Sequence, residues 1–139
     1  MIQRIQSVWL LLAAIVMAGI FYFPVYKFPD GLPVTIGNNY LAIVLTGLSV
    51  ILSLLAIFSF RKRKNQKKLV WGNILCCILL LAWLYYSEAT ASSTAQSLNP
   101  GGYFWIGAFL PLISMVLLIM SLRGIQKDEK LIKSMDRLR

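Results

Sequence analysis

The chain has 139 residues, 58% of them apolar and 14% charged, with a formal net charge of +9 and a mean hydropathy of +0.71. Soluble domains are about 45–50% apolar, so an ordinary water-soluble fold is excluded, and the length leaves room for one compact unit and no second domain. The chain has no His, and its two cysteines, Cys76 and Cys77, are neighbours; zinc, haem and thiol centres lack a ligand set, and no metal or cofactor is expected.

Four apolar runs of roughly twenty residues fill most of the sequence, at about 7–23, 40–60, 69–86 and 103–122, and none contains Asp, Glu, Lys, Arg or His. A segment in hydrocarbon has to satisfy its own backbone hydrogen bonds, so each run predicts a spanning helix. The first run contains Trp9 and ends in Phe21-Tyr22-Phe23, rings that prefer head-group depth. Val16-Met17-Ala18 has the small-residue form of a leader cleavage site. The apolar stretch continues past it to Phe23, and the run is expected to remain as a span. Its Ala14 and Ala18 offer a small face to a neighbouring helix.

Pro24, Pro29, Pro33, Gly31 and Gly37 break the next segment and predict tight turns such as Pro29-Asp30-Gly31. Phe28, Leu32, Val34 and Ile36 make this loop apolar enough to lie on the bilayer or cap the bundle. In the second run Thr46, Ser49, Ser53 and Ala56 recur at helical spacing. Small and hydroxylated residues on one stripe let helices approach closely and exchange weak hydrogen bonds. A basic loop follows, with Arg61, Lys62, Arg63, Lys64, Lys67 and Lys68.

In the third run Asn73 is placed to bond a neighbouring helix or reach water, while Cys76 and Cys77 leave the helix about 100° apart and read as small apolar fillers. A small, polar linker spans 87–102, with room to extend the third helix before Pro100 stops it. Pro111 lies within the fourth run and is expected to kink it by freeing the carbonyl of Gly107. The tail, 123–139, carries Leu131, Ile132, Met135 and Leu138 on one helical face among alternating charges. It predicts a short amphipathic helix lying on the bilayer, on the inner loop or against a partner.

Thirteen of the fourteen basic residues fall in the N-terminus, the middle loop and the tail, whereas the outer loops carry Lys27, Asp30 and Glu88. That bias places both termini and the middle loop in the cytoplasm. The fold class is therefore all-α, a four-transmembrane-helix bundle with a short amphipathic C-terminal helix. Arg61, Lys62, Arg63 and Lys64 sit at a predicted helix end, where they orient the chain and meet lipid head groups. No aromatic residue is interleaved among charges 61–68, so nucleic acid is not an expected partner.

The opening Met1-Ile2-Gln3-Arg4-Ile5-Gln6-Ser7 and the ending Lys127-Asp128-Glu129-Lys130-Leu131, then Ser134-Met135-Asp136-Arg137-Leu138-Arg139, resemble a family of short four-span inner-membrane proteins from Bacteroidota. That family is catalogued as a domain of unknown function. The resemblance covers the whole chain and implies a bacterial inner-membrane location; it brings no activity and no site residues.

Spans without ionisable groups and a charged, amphipathic tail point to a non-enzymatic small subunit or accessory protein of a larger membrane complex. Its partners would be lipids and another inner-membrane protein, with Leu131, Ile132, Met135 and Leu138 as contacts and Thr46, Ser49, Ser53, Asn73 and Pro111 serving helix packing. The alternative is an oligomeric transporter or channel for a neutral solute, lined by the hydroxyls and Asn73. An enzyme is the weakest expectation, because Asp30 and Glu88 lie on one side and Asp128, Glu129 and Asp136 on the other.

Overall fold

The computed structural model describes residues 2–27, 33–59, 62–95 and 103–136. The element order is α1 (Ile2–Gly19), β1 (Tyr26–Lys27), a 3-10 turn (Ile36–Asn38), α2 (Tyr40–Phe58), α3 (Arg63–Ala95), β2 (Tyr103–Phe104) and α4 (Ile106–Asp136). The fold is helical, with one antiparallel ribbon pairing Tyr26 with Phe104 and Lys27 with Tyr103. The windows Tyr40–Phe58, Arg63–Ser87 and Ile106–Ile132 are long and apolar enough to cross a membrane. The apolar part of α1, Gln6–Gly19, is shorter, about 21 Å at 1.5 Å per residue.

Local chemistry sets the helix ends. Proline disfavours helical backbone at the residue before it. Ahead of Pro24, the N–H groups of Ile20 and Tyr22 therefore turn to the carbonyls of Met17 and Gly19 in tighter bonds of 3.2 and 2.9 Å. The aromatic cluster expected inside the first span is thus a turn with exposed rings. Most of the basic segment expected as a loop is helical, because Lys, Gln and Arg are good helix formers and Lys62 accepts the N–H groups of Asn65 and Gln66 at 2.9 and 3.0 Å. The same helix continues to Ala95, through most of the stretch expected as a linker.

The tail differs from expectation in kind. Residues 123–136 are not a separate short helix; they extend α4, which runs 31 residues without interruption. Nothing between Leu122 and Asp136 breaks a helix except Gly124, and there the missing side chain makes room for a neighbour. A Cβ on Gly124 would lie 3.0 Å from Cγ of Gln6. Pro111 sits buried inside α4 without ending it.

The helices form a ring in which α1 and α3 each pack on α2 and α4. Their buried positions step by three and four: Gln6, Leu10, Ala13 and Met17 on α1, continued by Ile20 in the turn after it; Ala42, Thr46, Ser49, Ser53 and Ala56 on α2; Gln66, Val70, Asn73, Cys77, Leu80 and Leu84 on α3; Pro111, Ser114, Leu118, Ser121, Ile125 and Asp128 on α4. Such steps average 3.5 residues, the repeat of helices that wrap around one another at shallow angles. The buried face of α2 holds nothing larger than Thr, which lets its neighbours approach closely. The outward faces expose large apolar residues such as Val44, Ile51, Leu75, Phe109 and Val116, far more apolar area than a water-soluble monomer shows. Apolar helices on the inside and apolar faces on the outside make this a membrane protein.

Candidate functional site

Polar side chains gather at three levels of the bundle. At the middle level Asn73, 1% exposed, lies between two serines of α2. Ser49 Oγ donates to Asn73 Oδ1 at 2.5 Å, and Asn73 Nδ2 donates to Ser53 Oγ at 2.6 Å. Ser49 Oγ also lies 3.8 Å from Cys77 Sγ, and Cys76 Sγ donates to the Leu45 carbonyl at 3.3 Å. Thr46 turns its hydroxyl back to the Ala42 carbonyl of its own helix, at 2.7 Å. On the other side of the ring Ser114 and Ser121 of α4 donate to the carbonyls of Ala13 and Gln6 on α1, at 3.3 and 3.4 Å. An unpaired polar group in an apolar surrounding is costly, so these bonds fix the rotation and register of each helix pair. Pro111 is on the buried stripe of α4, one turn before Ser114, and takes no part in the cluster between α2 and α3.

One end of the bundle is charged. Gln6 Nε2 donates to Asp128 Oδ2 at 2.5 Å, with both residues buried. Beside them Lys67 and Glu129 form an ion pair, their side chains 28% and 26% exposed. Lys62, Arg63, Lys64, Asn65 and Glu129 line an open groove of about 490 Å³ next to that pair. Nη1 of Arg63, one of the lining residues, is buried without a hydrogen-bond partner. Further along α4, Leu131 and Ile132 are 47% and 41% exposed. The side chain of Met135 lies outside the described residues, as do Arg61 and Leu138.

The other end is closed by the loop after α1. Trp105 N–H bonds the Val25 carbonyl at 2.9 Å, and Gly107 N–H bonds that of Pro24 at 3.0 Å. The Tyr26 hydroxyl reaches the Leu84 carbonyl of α3, while its ring packs on Phe104 with centroids 5.3 Å apart. Lys27 Nζ sits 4.9 Å over the Trp105 ring, and Trp83 Nε1 donates to Asn39 Oδ1 at 3.3 Å. The turn expected at Pro29-Asp30-Gly31 lies outside the described residues.

Sequence reasoning singled out Asn73 and its serine partners but passed over Gln6, Lys67 and Asp128 as interacting groups. A signal for Asp128 exists: stepping by three and four from Ser114 through Leu118, Ser121 and Ile125 lands on it. Among the described residues no three His, Cys, Asp or Glu converge as metal ligands would. The charged end and the Ser49-Asn73-Ser53 cluster join neighbouring helices through hydrogen bonds and an ion pair.

No curated protein and no solved structure matches the chain. A family model does match, over residues 2–35 and 27–138, and the chain therefore belongs to the family described as a domain of unknown function, DUF4293.

Proposed function

We propose that the protein is a multi-pass protein of the bacterial inner membrane, with four spans and both termini in the cytoplasm, acting as a non-enzymatic small subunit or accessory protein of a larger membrane assembly. The observation that carries this reading is the exposed apolar pair Leu131 and Ile132 on a charged extension of α4. Large apolar side chains at the very end of the apolar window Ile106–Ile132, next to Lys130, suit contact with another protein or with the bilayer surface. The buried hydroxyls and Asn73 are engaged in helix contacts, which supports a structural role for the spans.

The grouping of Lys62, Arg63, Lys64, Lys67 and Lys68 with the basic end of α4, against a lone Lys27 at the opposite rim, supports the cytoplasmic placement of that end. Helix α1 counts as a fourth span by its full 18 residues, about 27 Å long. Extraction in a mild detergent followed by affinity capture is expected to recover a second membrane protein in fixed ratio. Capture of the chain alone, as monomer or homo-oligomer, would overturn the subunit role. Phosphatase fusions after Lys27 and after Asp136 test orientation, with activity expected only at the first.

A further inference from the structure

We infer that the groove at the start of α3 binds a phosphate oxyanion, either the head group of an anionic phospholipid or dissolved phosphate. This site stands independently of any partner protein. Lys62, Arg63 and Lys64 bring three positive charges to one groove, Asn65 adds an amide donor, and the facing acid is Glu129. That carboxylate is already paired with Lys67, so the groove keeps an excess of positive charge. Lysine and arginine side chains offer donors only, and the groove has more donors than acceptors.

Arg63 is the specific observation. Its Nη1 is buried without a partner, and a guanidinium offers hydrogen-bond donors only. A buried donor with no acceptor is costly, so the Arg63 guanidinium gains from a rearrangement that brings it an acceptor, and its planar fork matches phosphate oxygens in pairs. Arg63 is the first residue of α3, ahead of the apolar stretch that begins at Leu69, and basic groups at the polar end of a span meet anionic head groups. A surface that merely orients the chain needs positive charge but no groove and no buried guanidinium nitrogen.

The full-length protein in an uncharged detergent is tested by native mass spectrometry for retention of phosphatidylglycerol, with diacylglycerol of the same chains as the uncharged probe. Wild type is expected to retain phosphatidylglycerol and release diacylglycerol. Arg63→Gln is expected to bind about tenfold more weakly, a loss of one good charged contact. Arg63→Lys, which keeps the charge and removes the fork, falls between, and its unchanged helicity and elution volume exclude misfolding as the cause. Arg123→Gln removes equal charge from an exposed position outside the groove and is expected to bind like wild type. Equal losses for Arg63→Gln and Arg123→Gln, or equal retention of diacylglycerol, would overturn the site. Competing inorganic phosphate separates the two sources: displacement of the lipid identifies the free anion as a ligand, and resistance identifies the head group.

Discussion

The amide of Gln6 donates a 2.5 Å hydrogen bond to the carboxylate of Asp128, joining α1 to the extension of α4 inside the charged end of the bundle. Gln6→Leu leaves that buried carboxylate without this donor, at an expected cost of about 1–3 kcal/mol. Asp128→Asn keeps an acceptor of the same shape and is expected to cost less. Replacing both by Leu removes donor and acceptor together and is expected to recover most of the loss. Unfolding in mixed micelles measures this cycle, and a Gln6→Leu variant as stable as wild type would show that the pair contributes nothing.

Asn73 serves two partners at once, accepting from Ser49 and donating to Ser53. Interhelical hydrogen bonds in membrane proteins average about 0.6 kcal/mol and reach about 1.7. Asn73→Ala breaks both, so a loss of about 1–2 kcal/mol is expected from two such bonds. Ser53→Ala breaks one and should lose roughly half as much. Equal stabilities for the three proteins in micellar unfolding would remove the cluster from any account of how α2 and α3 stay in register.

Gly107 and Gly72 give opposite expectations for one substitution. A Cβ at Gly107 would lie 2.6 Å from the Pro24 carbonyl oxygen and 2.8 Å from that of Phe23. Those are backbone atoms, so the ribbon and the loop closing that end have to move, at about 1–3 kcal/mol for such overpacking. At Gly72 nothing lies within 4 Å, and Ala there gains helix propensity, about 0.5–1 kcal/mol. Thermal unfolding in detergent should place Gly107→Ala below wild type and Gly72→Ala at or above it.

The stripe on α2 is legible in sequence because Thr46, Ser49, Ser53 and Ala56 lie in one segment and share one periodicity. Hydropathy missed the Lys-rich start of α3 and the continuation of α4, since it reports affinity for lipid and not helicity, whereas the extension of α3 to Ala95 uses the room the sequence left before Pro100. The Gln6 to Asp128 bond spans 122 positions, and the ring order of helices, which no local pattern encodes, selects those partners. Arg63 is legible as one charge in a basic cluster. That one of its nitrogens is buried without an acceptor is a matter of tertiary packing and not of sequence spacing.

Leu131 and Ile132 separate folding from assembly. Both are exposed toward the end of α4, beyond Asp128, the last buried position of its stripe among the described residues. Replacing both by Ser removes no core packing, so the stability of the isolated protein should change by no more than about 0.5 kcal/mol, as for surface positions generally. An assembly held at this edge loses its apolar contact area, and recovery of the partner after mild extraction should fall sharply. The control is Lys127→Ser, an exposed polar change on the same helix that leaves the apolar pair in place and should leave recovery unchanged. Unaltered recovery with the double Ser variant would move the contact elsewhere on the chain. A large loss of stability in the isolated protein would instead make the two residues part of the bundle's own packing.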